Sequence, residues 1–291
     1  NLSYTLRINP RNRLTIKYFY SHDRAGMNFN TFYRYFGNTF NYDIYDDFQL
    51  QLQNRWSNQA ATLIHKWVIG PRFFLRTQAY YSAHESENFS GTDFRFTISD
   101  EEIDTLRFNL QTSSSFTNHI SDLSAKTALT LKLMRNNTLR LGVEFNRYDF
   151  RNTAEINRID QGELLNSPIQ IAAFAEDKIT AGPFIFRPGV RITQYDEKKW
   201  YYEPRVNAVV MLPANLRLKL AWGLYYQHVI SMNTSEVEMN QSVDYYFPLN
   251  KYSPSKSMHY IAGIEKKINS RSVLTLDVYY KDIQSIYIFD I

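Results

Sequence analysis

Residues 215–227 read NLRLKLAWGLYYQ. Leu216, Leu218, Leu220, Trp222, Leu224 and Tyr226 fall on every second position, with Arg217, Lys219, Gly223 and Gln227 between them. A strand sends alternate side chains to opposite faces, so this stretch has one apolar face and one wet, charged face. A helix would place its apolar residues three and four apart. The alternation recurs. RLTIKYFY sets Leu14, Ile16, Tyr18 and Tyr20 on one side, and TLRLGVEF sets Leu139, Leu141, Val143 and Phe145 opposite Arg140 and Glu144. AKTALTLKL, FIFRPGVRIT and SVLTLDVYYKD repeat it, and no stretch holds a helical period over three turns.

Two neighbours can cover such a face: a second sheet, as in a soluble sandwich, or lipid, as in a barrel. Composition favours lipid. Aromatics make up 16% of 291 residues, with 22 Tyr and 20 Phe, residues that suit strands and membrane interfaces. No run of 18 apolar residues occurs, which excludes a transmembrane helix but not a barrel, whose alternating strands average out as polar. The chain has no cysteine, hence no disulfide framework and no thiolate metal site. A net charge of +4 is too mild for a nucleic-acid footprint.

The connections alternate in length. NPRN (9–12), IGPR (69–72), RNNT (135–138), TAGP (180–183), LPAN (212–215) and NSRS (269–272) are rich in turn-forming residues. Between them lie longer connections at 23–55, 85–116, 151–167 and 229–256, with a short exception at 196–200. All short turns therefore share one end of a sheet of about twelve antiparallel strands. Many of these strands carry the 9–11 residues that cross a bilayer with tilt. A sandwich would use shorter strands with tight loops at both ends. The pattern favours an outer-membrane barrel.

The order of pieces also resembles a known family. RPGVRITQYDEKKWYYEPRVNAVVMLPANLRLKLAWGLYYQ (187–227) is similar to part of the barrel of TonB-dependent outer-membrane receptors, in which a "pGxR" strand, a loop, a "PR" strand, a short turn and an aromatic-ended strand follow one another. SMHYIAGIEKKINSRSVLTLDVYYKDIQSIY (257–287) resembles the next hairpin. WSNQAATLIHKWVIGPRFFLRTQAYYS (56–82) resembles an earlier one in receptors of the Bacteroidota type. The resemblance implies a partial barrel domain over 1–291, about twelve strands of a 22-stranded barrel, with short periplasmic turns and long extracellular loops. It implies active uptake of a scarce nutrient such as a siderophore, cofactor or glycan, with outer-membrane lipid, a plug domain and TonB as partners. Both ends read as mid-pattern, so a fragment is expected. A stand-alone porin-like channel of about twelve strands is the alternative.

Within a barrel, Leu216, Leu218, Leu220 and Trp222 face lipid and Arg217 and Lys219 face the lumen, since a charge near the midplane costs about 2–4 kcal/mol. The expected lumen set is Arg140, Glu144, Glu176, Arg187, Arg191, Glu203, Arg205, Arg217, Lys219, Asp277 and Lys281. By resemblance, Arg191 and Arg205 lead the plug-facing candidates. Tyr225 and Tyr226 are expected in the interfacial girdle, and Pro188 and Pro204 should each bring a bulge or a missing bond. The aromatic stretch MNFNTFYRYFGNTFNYDIYDD (27–47) is expected as an extracellular loop that contacts ligand through Phe32, Tyr33, Tyr35, Phe36, Tyr42 and Tyr45. Tyr245, Tyr246 and Phe247 are expected to do the same from 229–256, though either loop can instead fold back on its neighbours. Six scattered histidines lack metal-ligand spacing, and the carboxylates near Asp43 are not diagnostic for Ca²⁺. No nucleotide, zinc-protease or serine-hydrolase motif occurs, and Ser113–Ser115 with His119 read as ordinary strand. No cofactor, metal or catalytic residue is expected.

Overall fold

The computed structural model describes residues 1–36, 42–100, 106–196, 199–233, 244–249 and 252–284. Fifteen strands and no helix are described. They are β1 (Leu2–Asn9), β2 (Asn12–Phe36), β3 (Tyr42–Gly70), β4 (Phe73–Asp100), β5 (Leu106–Met134), β6 (Asn137–Ile156), β7 (Ile159–Asn166), β8 (Ile169–Ala181), β9 (Phe184–Tyr195), β10 (Trp200–Leu212), β11 (Leu216–Gln227), β12 (Val229–Asn233), β13 (Asp244–Pro248), β14 (Ser255–Lys267) and β15 (Val273–Gln284). Thirteen form one antiparallel sheet. Its path runs β1 to β6, then β8 to β11, then β14 and β15, so twelve strands lie in sequence order as the alternation predicts. β7 extends the line of β8 along β6, broken at Ser167–Pro168, where the Pro168 carbonyl accepts from the Tyr148 N–H at 3.0 Å. Among the described residues β1 pairs only with β2 and β15 only with β14, leaving two open edges.

The short turns gather at one end, as expected. The opposite end differs from the sequence reading. β2, β3, β4 and β5 run 25, 29, 28 and 29 residues, against 12 or 13 for β8 to β11. The stretches 23–55, 85–116 and 151–167 are therefore mostly tall ribbon, not loop. The β2–β3 ladder holds one register from Asn12↔Trp67 to Phe36↔Asp43, and β3–β4 continues to Tyr42↔Asp100. The cause lies in side-chain polarity. Alternation persists in the upper strands but its sense reverses, so the apolar residues leave the expected face. On β5 one face reads Leu131, Leu129, Leu123 and then His119, Ser115, Ser113 and Gln111. Its other face reads Thr130, Lys126, Ser124 and then Phe116, Leu110, Phe108 and Leu106.

In the lower sheet the charged positions share one face, here termed inner. Cross-strand partners lie on the same face. The register therefore joins Lys126↔Glu144, Arg140↔Glu176, Glu203↔Arg191 and Arg217↔Glu265 into one inner surface. Phe150, Thr193 and Asn146 are fully buried there, while Val143, Leu220 and Leu276 on the outer face stay 60%, 46% and 65% exposed. This inside-out arrangement is costly in water and favourable in lipid.

One expectation needs correction. Tyr225 and Tyr226 are neighbours on one strand, so they cannot share the girdle. Tyr225 is on the inner face, 4.7 Å from the His259 ring, with the Arg205 guanidinium 5.5 Å from its centroid. Pro188 and Pro204 bring the missing bonds that were expected, and no bulge. The β8–β9 pairing skips Asp177 and Lys178 opposite Arg187 and Pro188 without changing register, and the β10–β11 ladder stops at Arg205, beside Pro204. Proline lacks the N–H a ladder bond needs, and the sheet loses rungs instead of shifting.

Candidate functional site

The inner face at mid-height carries a continuous polar network. β6 supplies Glu144, β5 Lys126, β9 Arg191 and Thr193, and β10 Glu203 and Arg205. Lys126 Nζ donates to Glu144 Oε2 at 2.7 Å. Arg191 grips the same carboxylate with two nitrogens, Nη1 to Oε2 at 3.0 Å and Nη2 to Oε1 at 3.3 Å. A two-pronged guanidinium–carboxylate pair fixes orientation as well as charge. Arg191 Nε also donates to Thr193 Oγ1 at 3.2 Å, and that hydroxyl donates to Glu203 Oε1 at 2.8 Å. Arg205 Nη2 lies 3.8 Å from Glu203 Oε2. Five charges on four strands are thus matched across about four strand spacings, roughly 19 Å.

Close packing supports the network. A Cβ on Gly142 would stand 2.3 Å from the Phe174 ring, so glycine is needed for that ring to lie over β6. Lys126 Nζ and Arg140 Cζ then sit 5.2 and 5.4 Å from the ring centroid, a favourable cation–π arrangement. Gly223 serves the same purpose under the Tyr225 ring. A second charge cluster lies nearer the short turns, where Glu265 on β14 accepts from Arg217 at 2.8 Å and pairs with Lys219. Both cations are substantially exposed.

Above the network the segment after β11 crosses the inner face. β12 and β13 form a two-stranded hairpin. His228 at its root is stacked on Tyr195 at 4.6 Å and meets Tyr201 edge-on at 5.1 Å. The Leu249 N–H donates to the His228 carbonyl at 2.8 Å, closing the hairpin base. The far end reaches β4 and β6. The Tyr246 ring lies 6.1 Å from His84, and the Tyr246 carbonyl accepts from Asn152 Nδ2 at 3.5 Å. Burial, and then the nearby positive Arg191, lower the His228 pKa to about 4, so the ring is neutral at pH 7.

The candidate residues distribute unevenly. Arg191, Glu203 and Arg205 meet in the central network, Arg217 and Lys219 in the lower cluster, and Arg187 shares the inner face opposite Asn207. Lys126, Thr193 and Glu265 complete these clusters; alternation on their strands was their only signal. Phe32 is on β2, exposed on the outer face. Tyr33, Tyr35 and Phe36 belong to β2, Tyr42 and Tyr45 to β3 and Tyr245 to β13, with side chains outside the described residues. Tyr246 and Phe247 are half-buried within the crossing hairpin, the folded-back arrangement. Ser113 to Ser115 and His119 lie in the β5 ladder. Among the described residues no group of three His, Asp or Glu side chains is placed to hold a metal.

An apolar outer face, a charged inner face and short turns at one end define the wall of a transmembrane β-barrel. The sequence matches the family model for TonB-dependent receptor-like β-barrels over residues 2–290, and the protein belongs to that family. Its fold is similar to that of the ferric-catecholate import receptor Fiu of E. coli K12, at 12% identity and a TM-score of 0.53, covering 97% of this chain and 55% of that one. Siderophore receptors PirA from Pseudomonas aeruginosa (14% identity, TM-score 0.47, 96% and 57% covered) and Acinetobacter baumannii (10%, 0.46, 97% and 52%) are more distant. The chain thus spans about half the length of these receptors. Among curated proteins none matches the sequence.

Proposed function

We propose that this chain is a partial barrel domain of an outer-membrane TonB-dependent transporter that takes up a scarce nutrient: a siderophore, a cofactor or a glycan. The observation that carries the reading is the inner network around Glu144 and Arg191, set in a sheet of the receptor family. Its charges are preorganised but not sealed. Lys126 and Arg205 keep about a third of their side-chain surface open and can receive a second protein surface. In the complete receptor that surface is the plug, which TonB displaces using inner-membrane energy. The tall β2–β5 ribbons stand outside the membrane and present Phe32, Tyr33, Tyr35, Phe36, Tyr42 and Tyr45 to ligand. Tyr246 and Phe247 on the crossing hairpin, together with Tyr245, form the second proposed set of ligand contacts.

The test deletes the gene in its host and measures uptake of ferric siderophores, haem, cobalamin and oligosaccharides with and without functional TonB. Uptake of one class, lost in both mutants, supports the reading. Passive conductance through the purified protein, independent of TonB, sinks it and favours a porin.

A further inference from the structure

The outer face of the upper ribbons carries a depression of about 570 Å³, within the range of small-molecule sites. Its walls carry neutral amides and a hydroxyl, with Asn28 from β2, Gln49 and Gln51 from β3, Gln111 and Ser113 from β5 and Asn30 at the upper rim, together with Asp93 and Arg158. The register explains their convergence. Asn28↔Gln51, Asn30↔Gln49, Gly91↔Ser113 and Asp93↔Gln111 are facing pairs on one side of four adjacent strands. Gly91 contributes no side chain and leaves the floor open. The Phe89 ring lies beside it, 3.1 Å from where a Gly91 Cβ would stand.

The polar atoms are held in place. Asp93 Oδ2 accepts from Arg95 at 2.7 Å and from Gln111 Nε2 at 3.0 Å, so its charge is matched and the amide is aimed. These bonds lower the Asp93 pKa. The wall on the β6 side is the turn Asn157–Arg158, both residues at positive φ. Asn157 replaces one rung of ladder: its N–H donates to the Ser113 carbonyl at 2.7 Å and its Oδ1 accepts from the Ser113 N–H at 2.9 Å. Arg158 adds a donor fork at the rim.

Several paired donor–acceptor groups and a matched carboxylate suit a ligand rich in hydroxyls. An apolar ligand would strand the amides without partners. Height supports the same class. Gly91 lies eighteen residues beyond Phe73, about 60 Å along the strand and roughly 45 Å above the short turns at a tilt near 40°. The apolar belt of such barrels is only about 25 Å tall. The depression therefore faces sideways, above the hydrocarbon, into the saccharide layer of the surface. We propose that it is a saccharide-binding site, separate from the lumen and from the loop tips. The placement rests on the outer-membrane reading above.

The test uses the complete protein purified in detergent and titrated by calorimetry with two probes. One is the delipidated surface polysaccharide of the host, and the other is maltoheptaose as a soluble neutral oligosaccharide. Saturable binding of either is expected, weakened at least tenfold in Gln49→Ala/Gln111→Ala. Binding of the first probe makes the source the surface itself; binding of the second makes it a captured nutrient. Gly91→Thr, which fills the floor with a strand-compatible residue, should act alike. Strand circular dichroism and heat-modifiable mobility monitor folding. No binding of either probe, or equal binding by both folded variants, overturns the site. TonB-dependent uptake is measured alongside. Its absence with saccharide binding intact refutes the transport reading and leaves the site standing.

Discussion

The lower and upper halves of β2 to β5 use one backbone pattern with opposite chemistry. Below, Leu14, Ile16 and Tyr18 point outward and Arg13, Thr15 and Lys17 inward; above, Asn28 and Asn30 point outward and Met27 and Phe29 inward. β3 turns over in the same interval, from Leu63 outward to Gln49, Gln51 and Gln53. No bond in the ladder marks the change. The difference shows that the solvent on each side, not the strand, selects residue type, and it marks the outer edge of the apolar belt near residues 20–22, 55–57, 83–85 and 119–121.

The sharpest attempt to break this comparison places arginine on the outer face at both heights. Val143→Arg/Leu220→Arg, near mid-belt on separate strands, should destabilise the lipid-inserted protein by about 4–8 kcal/mol in urea titrations from vesicles. Gln51→Arg/Gln111→Arg should stay within about 0.5 kcal/mol. Equal effects would erase the boundary. A second expectation concerns the inner face. Arg191→Ala leaves Glu144 and Glu203 side by side with less compensation, and should cost about 3 kcal/mol. Glu144→Gln in the same chain should recover part of that loss in a double-mutant cycle.

The crossing hairpin gives a pH-dependent contrast. His228 is neutral when docked, with a pKa of about 4 against an ordinary 6.5. Above pH 6.5 both docked and released forms are neutral and pH has no effect. Between 6.5 and 4 only the released form gains a proton, so docking weakens as pH falls, by at most about 3 kcal/mol. Hydrogen exchange at 229–233 and 244–249, corrected for intrinsic rate, should rise from pH 7.5 to 5, and His228→Gln should flatten that rise. A small effect is also expected at the exposed pair: Arg217→Ala should change stability by less than about 1 kcal/mol.

The twelve-strand path of the sheet, the position of every short turn and the shared face of Arg187 to Lys219 were legible because alternation in the belt is strict, whereas β7, β12 and β13 were not. The ribbons were not, because QLQLQN at 49–54 puts amides outward and leucines inward, which reads as polar loop unless the reversal is recognised. Tyr225 was misplaced by treating an aromatic pair as a unit where the two-residue period separates its members. Arg191 and Glu203 could be assigned to a face, but their link through Thr193 could not, since cross-strand partners ten residues away depend on register. His228 and Tyr246 join strands far apart in the sheet, and local sequence carries no trace of that.

The hairpin over the inner face acts as a chord on an arc. It leaves the sheet at β11 and touches β4 and β6, so it spans strands that the ladder joins only through β8, β9 and β10. Hydrogen bonds between neighbouring strands tolerate a range of curvature, and they do not by themselves set how wide the mouth stands. A chord of fixed length does. The hairpin thus ties the inner face together at two points away from the short turns, the stacked imidazole at one end and the Tyr246 contacts at the other. With either end released, the curvature there would rest on the ladder alone.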